Sequence, residues 1–249
     1  MSTQILNQTT ALVTGAGRGF GRGIATALTV AGATVVGVAR TDSQLQELRA
    51  ELGERFIAVA ADAAAPATAR ELIERHRPTV LVLNAGAVPV MGPLTEQTWE
   101  SFGRNWEVDT QHVFHWTREA LRQPLSAGSL VVAISSGAAL RGSPLSGGYA
   151  GAKAATRFIS SYAAEQSRRE TLGIRFVSLL PQLTPVTDLG SVGVSAYAAS
   201  EGIDVDTFVE HLQPILTPER MGSAVVELVA ISEPSAAYLV TGSGLQSLA

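Results

Sequence analysis

The residues best suited to chemistry in this chain are a serine, a tyrosine and a lysine at fixed spacing. Tyr149 stands four residues before Lys153 and thirteen after Ser136, in the run SSGAALRGSPLSGGYAGAKAA. If a helix begins at Tyr149, positions i and i+4 share one face and lie about 6 Å apart along the axis. A tyrosine hydroxyl titrates at about pH 10, so it is a slow acid at neutral pH unless a cation stabilises its phenolate.

This trio predicts carbonyl chemistry. We expect the Lys153 ammonium to lie beneath the Tyr149 ring, which makes the phenol a usable proton donor. Ser136 directly follows the apolar run SLVVAIS, which is typical of a buried strand, and its hydroxyl would hold a carbonyl oxygen beside the phenol. A tyrosine and a lysine at this spacing also occur on ordinary helix surfaces, so a second motif has to support the interpretation.

That second motif is the glycine-rich run LVTGAGRGFGRGIA near the start of the chain. It predicts a turn between the first strand and a helix beginning near Phe20. Glycines there allow positive φ angles and let a diphosphate approach the helix N-terminus, where free N–H groups favour an anion. The alternative is a turn built for tight packing alone. The predicted cofactor contacts are Gly15, Arg18, Gly19, Phe20 and Gly21.

The end of the second predicted strand, VVGVARTDS, indicates which nucleotide is preferred. A carboxylate there would bind the ribose diol of NAD, whereas an arginine suits a 2′-phosphate. Ala39 is uncharged and Arg40 follows it, and Arg18 offers a second cation. Unless both arginines are merely solvated, the sequence favours NADP(H).

Composition limits the remaining functions. The 249 residues are 46% hydrophobic, which is enough for one large α/β domain spanning residues 1–249. A net charge of -4 without a basic block argues against nucleic-acid or membrane partners. No apolar leader or spanning run is evident, so we expect a cytoplasmic protein. His112 and His115 have helical spacing without a familiar carboxylate motif, and we predict no metal site.

Seven short apolar runs alternate with helical stretches, which predicts a Rossmann-type, doubly wound parallel sheet of about seven strands with helices on both faces. These runs are TALVTG, ATVVGVA, FIAVAA, TVLVLNAG, SLVVAISS, IRFVSLLP and AYLVTG. The segment 184–217 mixes Gly, Pro, Ser and acidic residues and fits no single strand or helix. We interpret it as a substrate lid, with a surface insertion as the alternative.

Over nearly its whole length the chain resembles the short-chain dehydrogenases/reductases. The matching positions are Thr14 to Gly21, Asp62, Asn84-Ala85-Gly86, Ser136, Tyr149 and Lys153. The resemblance implies that Asp62 lies beside the adenine ring, that Asn84, Ala85 and Gly86 line the cofactor cleft, and that Lys153 also binds the nicotinamide ribose. It further implies a homotetramer or dimer built through long helices at about 95–122 and 149–170.

The chain departs from the family pattern at three places. The segment VNxxGxF reads VDTQHVF here, so Asp109 replaces an asparagine that helps to hold a proton-relay water; we take Asp109 as a modified relay residue. Asn105, one turn earlier, is too far along a regular helix to substitute. Pro-Gly becomes Pro181-Gln182, and either Thr184 or Thr187 would bind the nicotinamide carboxamide. The usual tail is replaced by TGSGLQSLA.

The sequence therefore predicts NADPH-dependent reduction of a ketone or aldehyde, or the reverse oxidation of an alcohol. The alternative is a catalytically weak NADP(H)-binding sensor that tolerates a damaged relay. The substrate is expected to be small and apolar because most of the candidate pocket walls are apolar. These walls are Val88, Met91, Ala138, Leu140, Leu183, Val186, Val192 and Tyr197.

Overall fold

The structure, a computed structural model, describes residues 6–248, so residues 1–5 and 249 of the predicted domain lie outside the described part. Its centre is an eight-stranded sheet. The strands are β1 Thr10–Thr14, β2 Thr34–Ala39, β3 Phe56–Ala60, β4 Val80–Leu83, β5 Leu130–Ile134, β6 Arg175–Pro181, β7 Ala237–Thr241 and β8 Gly244–Leu248. Their order is β3-β2-β1-β4-β5-β6-β7-β8, and only the β7–β8 pairing is antiparallel.

Helices cover both faces of this sheet. They are α1 Gly19–Val30, α2 Asp42–Leu52, α3 Pro66–His76, α4 Trp99–Asn105, α5 Gln111–Arg122, α6 Ala138–Arg141, α7 Tyr149–Arg169, α8 Asp188–Glu201, α9 Val205–Glu210 and α10 Pro218–Ala230. On one face α1, α2 and α10 bury side chains such as Ile24 and Val225. On the other, α3, α5 and α7 bury Trp116 and its neighbours. Burial on both faces explains why the strand sequences are continuously apolar.

The predicted fold class and all seven predicted strands are confirmed. The additional strand β8 comes from the tail, where a two-residue turn reverses the chain between Thr241 and Gly244. Gly244 has a φ of +130°, which only glycine adopts readily. The run GLQSL has a weak apolar pattern because β8 lies at the sheet edge, and the pattern therefore did not predict a strand.

The segment 184–217, which fits no single strand or helix, contains two helices, and α8 and α9 occupy most of it. The side chains of Thr187 and Asp204 cap these helices by accepting hydrogen bonds from the third residue beyond them. Val194, Ala198 and Phe208 then form a small apolar cluster between the two helices. Glycine and serine are poor helix formers, so this tertiary packing was hidden from the sequence. The role of the segment as a lid stays a prediction.

Of the two long helices predicted at about 95–122 and 149–170, the structure contains only the second as one continuous helix. The second is present as α7. The first is interrupted by a π-helical turn, Trp106–Thr110, between α4 and α5. Such a turn carries one extra residue and rotates the helix that follows, a feature that often occurs at functional sites. Among residues 6–248 no helix is both long and apolar enough to cross a membrane.

Candidate active site

A cleft of about 710 Å³ opens at the carboxyl ends of the parallel strands, where ligands bind in sheets of this type. Most of the predicted site residues line it. These are Gly15, Arg18, Gly19, Phe20, Arg40, Asp62, Asn84, Ala85, Gly86, Ser136, Tyr149, Lys153, Pro181 and Thr184. Gly21 and Asp109 lie behind this surface rather than on it, and both act through neighbours that do line the cleft.

The glycine loop between β1 and α1 is shaped to bind an anion. Gly15 has a φ of +67°, and a Cβ on Gly21 would lie 2.0 Å from the Gly15 carbonyl oxygen, so neither position tolerates a side chain. Helix α1 begins at Gly19, and the preceding Arg18 makes no side-chain capping bond. The first N–H groups of α1 are therefore available to a diphosphate, and the loop fits a dinucleotide.

Asn84 and Thr14 hold this loop against the end of β4. The Asn84 side-chain amide donates to the Thr14 carbonyl at 3.0 Å and to the Gly15 carbonyl at 3.3 Å. In return, the Thr14 hydroxyl accepts from the backbone N–H groups of Asn84 and Ala85, at 2.9 and 3.1 Å. Asn84 thus positions the glycine loop as well as lining the cleft. Sequence reasoning included Thr14 in the motif but assigned it no role.

Tyr149 and Lys153 occupy the first turn of α7, as their spacing predicts. The Lys153 Nζ lies 5.6 Å from the centre of the Tyr149 ring and donates to the Ile134 carbonyl at 3.2 Å. Ser135, which the sequence analysis missed, ties α7 to β5 because its hydroxyl donates to the Lys153 carbonyl at 2.7 Å. Lys153 is therefore fixed at both its backbone and its ammonium group.

Ser136 lines the same cleft just beyond β5. Its hydroxyl oxygen accepts from the Ala138 N–H at 3.2 Å. Among the described residues nothing accepts the hydroxyl proton, which leaves it available to a ligand. The serine, the tyrosine and the lysine therefore face one space, which the glycine loop also borders.

Asp109 forms a buried ion pair with Lys153. Its Oδ2 lies 3.1 Å from the Lys153 Nζ, and its Oδ1 accepts from the Ala87 N–H at 2.8 Å. Burial opposes the charge on Lys153, but the Asp109 charge, the Tyr149 charge and a hydrogen bond to Asp109 outweigh it and raise the pKa of Lys153. The lysine of this site is thus held as an ammonium ion.

Asn105 supports the same pair through the π-helical turn. Its side-chain amide donates to the Ala87 carbonyl at 2.8 Å and reaches Asp109 Oδ1 at 3.5 Å. The two residues are four positions apart, so their side chains are neighbours on one face of the helix. Asn105 and Asp109 are both fully buried, so they form one polar unit behind Lys153.

The two arginines predicted to select the nucleotide are exposed at the other end of the cleft. Arg40 follows β2, and the acid nearest to it in sequence, Asp42, does not line the cleft. Arg18 pairs with Asp188 at the start of α8, with 2.6 Å between the charged atoms. This ion pair connects the glycine loop to the predicted lid.

Comparison with known proteins identifies the family. A model of the short chain dehydrogenase family matches residues 9–201. The chain belongs to this family. It is 30% identical to a tetrahydroxynaphthalene reductase from Pestalotiopsis fici over 224 residues, covering 86% of this chain and 79% of that protein. It is also 30% identical to the L-xylulose reductase of Bos taurus over 179 residues, covering 71% and 72%.

A solved short chain dehydrogenase from Burkholderia cenocepacia, in complex with NADP, has the same fold. The two superpose with a TM-score of 0.80 at 26% identity, covering 96% of this chain and 98% of that one. The family assignment made from the motifs is therefore confirmed.

In this short-chain dehydrogenase the segment after β6 is hydrogen-bonded to the last residues of the segment 184–217. Gln182, which replaces the usual glycine, donates to the Pro214 carbonyl at 2.8 Å. The Thr184 hydroxyl donates to the Leu216 carbonyl at 2.7 Å, so its proton is already used. The Thr187 hydroxyl accepts from the Gly190 N–H and has no acceptor for its proton among the described residues. Of the two threonines, Thr187 has the proton to donate.

The substrate end of the cleft is mostly apolar. Five of the eight candidate walls line it, namely Val88, Met91, Ala138, Leu183 and Tyr197. The other three, Leu140, Val186 and Val192, do not, and they are 41%, 50% and 42% exposed. The Tyr197 hydroxyl of α8 lies 2.5 Å from the Ser143 hydroxyl, so the predicted lid already contacts the loop before α7.

Proposed function

We propose that this short-chain dehydrogenase reduces a ketone or aldehyde with NADPH, or oxidises the corresponding alcohol in reverse. One observation carries the proposal. Ser136, Tyr149 and Lys153 line the same cleft as the glycine loop, and the Lys153 Nζ lies 5.6 Å from the Tyr149 ring centre. A tyrosine whose phenolate is stabilised by a lysine, next to a loop that can bind a dinucleotide, is suited to hydride transfer to a carbonyl group.

Each side chain has a definite part in this reaction. Bound NADPH supplies the hydride. Tyr149 donates its proton to the carbonyl oxygen as negative charge develops there, and the Ser136 hydroxyl donates a hydrogen bond to the same oxygen. The buried Lys153 ammonium stabilises the phenolate that remains. Donors fixed in advance around a developing charge lower the barrier by several kcal/mol, and each 1.4 kcal/mol is about tenfold in rate.

Two features support NADP(H) as the cofactor. Arg18 and Arg40 border the cleft, whereas the acid nearest the end of β2, Asp42, does not, and it accepts a hydrogen bond from Gln46 at 3.1 Å. A 2′-phosphate would take Arg18 from its exposed partner Asp188. We assign the adenine side to Asp62 and the central wall to Asn84, Ala85 and Gly86. Lys153, Pro181 and a threonine, Thr184 or Thr187, would hold the nicotinamide side.

The substrate class follows from the walls of the cleft. Val88, Met91, Ala138 and Leu183 line the cleft together with Tyr149, and their apolar surface favours a small apolar or aromatic carbonyl compound. One similar protein is named for an aromatic substrate, tetrahydroxynaphthalene, and another for a sugar, L-xylulose. The apolar walls favour a compound of the first kind. We retain α8 and α9 as the lid over it.

We further propose that the protein is a homodimer or homotetramer. Three aromatic side chains are exposed on the outer faces of α5 and α7, namely Phe114 at 48%, Phe158 at 57% and Tyr162 at 68%. The rings of Phe158 and Tyr162 stack with centres 6.1 Å apart. An aromatic patch on paired helices is typical of an interface between subunits. A cytoplasmic location stays a prediction.

The reaction is tested by following nicotinamide absorbance with a panel of ketones and aldehydes. We expect NADPH oxidation with apolar carbonyl compounds and a much lower kcat/KM with NADH. Tight NADPH binding without oxidation by any compound would instead favour the alternative, a cofactor-binding sensor. Size-exclusion chromatography with light scattering tests the assembly, and Phe158→Asp should produce monomers if the aromatic patch is the interface.

A further inference from the structure

His112 is a fully buried polar residue that the chemistry proposed above does not use. It lies on α5 one helical turn after Asp109, and its side chain borders the floor of the cleft. The ring has a polar contact with the Ala85 backbone, but neither ring nitrogen makes a well-formed hydrogen bond to any residue between 6 and 248. A buried polar group without a partner is rare in proteins and requires an explanation.

Packing alone does not explain why a polar ring is buried at this position. The His112 ring meets the Trp116 ring edge-on, with centres 6.2 Å apart, and a leucine or phenylalanine would fill such a site without burying two polar nitrogens. The position is also distinctive in sequence, because His112 stands where the pattern VNxxGxF has glycine. Two polar replacements, Asp109 and His112, thus occur three residues apart on the helix that backs Lys153.

The groups around the imidazole determine its charge. Lys153 acts on it from α7 and His115 from α5, while the Ala85 backbone lies at the end of β4. Burial lowers the pKa of His112 to about 3, assisted by Lys153 and His115 and opposed by the Ala85 backbone. The ring is therefore neutral at physiological pH, with one nitrogen that donates a hydrogen bond and one that accepts.

Building on the proposed reduction, we propose that His112 is a positioning residue for the supply of protons: its imidazole holds, through a ring nitrogen, the water that returns a proton to Lys153. His112 and Lys153 both line the cleft, and Lys153 pairs with Asp109 behind it. A neutral imidazole can orient such a water without competing for its proton. Asp109 stabilises the ammonium form, so that the proton is drawn back to Lys153.

The proton transfers balance over one turnover. When the O–H bond of the product forms, the O–H bond of the Tyr149 phenol breaks. The Lys153 ammonium restores the phenol, the water restores the ammonium, and solvent restores the water. The net change is one proton moved from solvent to product. His112 ends each turnover neutral, and no electron passes through it.

Kinetics of His112 variants test this proposal. His112→Leu removes both nitrogens at similar volume, whereas His112→Asn and His112→Gln each keep an amide near one nitrogen. For the leucine variant we expect kcat to fall about tenfold, less than the 10²–10⁴ typical of a residue that itself transfers the proton. Its solvent deuterium isotope effect on kcat should rise, while KM and NADPH affinity stay unchanged. Imidazole buffer at constant pH and ionic strength should restore its rate.

The amide variants serve as matched controls. At least one of them should keep most of the wild-type kcat and show no response to buffer. The proposal is overturned if His112→Leu turns over like the wild type. It is equally overturned if all three variants are slow and none responds to buffer, because that pattern indicates a packing role.

A crystal structure of the wild-type enzyme with NADP⁺ separates this proposal from the proposed function. We expect a water at hydrogen-bonding distance, about 3 Å, from both a His112 ring nitrogen and the Lys153 Nζ. Absence of that water refutes the role of His112, whatever the activity. If the water is present but no carbonyl compound oxidises NADPH, the proposed reduction fails and the proton supply fails with it, while the water site stands.

Discussion

Replacing Asp109 with asparagine removes the charge that holds Lys153 as an ammonium ion. The two charged atoms are 3.1 Å apart, which corresponds to an attraction of about 5 kcal/mol at an effective dielectric constant of about 20. Asparagine can still accept from the Ala87 N–H, so part of the local structure is retained. We therefore expect Asp109→Asn to lower the free energy of unfolding at pH 7 by about 3 kcal/mol, the lower end of the range for broken buried pairs.

The pH dependence of this loss is specific to the ion pair. In the wild type the raised pKa of Lys153 gives a contribution that is complete below the unfolded pKa of about 10.4 and is lost only as the pH rises through the folded value. In Asp109→Asn burial is no longer offset by the carboxylate, so the pKa of Lys153 falls below its unfolded value. The variant should then regain stability as the pH rises, and its deficit should shrink between pH 7 and pH 9.5.

Urea unfolding at several pH values measures both effects. The matched control is Asp188→Asn, the same substitution in the exposed pair with Arg18, which should cost less than about 1 kcal/mol at every pH in the series. The reasoning is refuted if Asp109→Asn unfolds within 1 kcal/mol of the wild type at pH 7. It is also refuted if the deficit is constant across the series, because an uncompensated lysine must titrate.

Three further substitutions probe the rest of the site and the core. Ser136→Ala should lower kcat by about 10²–10³ with NADPH affinity unchanged, and an unaffected kcat would remove the serine from the chemistry. Arg40→Ala should weaken NADPH binding by roughly tenfold or more while NADH binding stays constant, as measured by fluorescence titration; equal losses for both cofactors would contradict its proposed contact with the 2′-phosphate. Trp116→Ala removes a fully buried ring and its 2.8 Å hydrogen bond to the Ala63 carbonyl, and should cost about 3–5 kcal/mol in urea unfolding without a change in the m-value. A loss below about 1 kcal/mol there would show that the core collapses around the gap.

The sheet was predictable because its strands are buried on both faces and are therefore continuously apolar, as in Val80–Leu83 and Leu130–Ile134. The helices of the segment 184–217 were not predictable, because α8 contains glycine and serine and depends on packing against Phe208 of α9. Local propensity carries no information about such a contact. The strand β8 was missed for a related reason, since an edge strand needs no long apolar run.

The parts of the site set by local geometry were also predictable. Tyr149 and Lys153 meet because they are one turn apart on a helix, and the glycine loop follows a strand. The arrangement behind Lys153 was only partly predictable. Asp109 could be placed near Lys153 from the family pattern, but the π-helical turn that contains it has no recognised sequence signal. His112 was considered only as a metal ligand, because a histidine on an apolar helix face gives no sign of unpaired nitrogens.

The central claim is that Tyr149, supported by the Lys153 ammonium, donates the proton that completes carbonyl reduction. A single-turnover stopped-flow measurement of Tyr149→Phe with saturating NADPH and an active carbonyl substrate tests it most directly. Phenylalanine keeps the ring over Lys153 and removes only the hydroxyl, so NADPH should bind with wild-type affinity while NADPH oxidation slows by about 10²-fold or more. A variant that binds NADPH and still oxidises it at a rate close to that of the wild type would contradict the account.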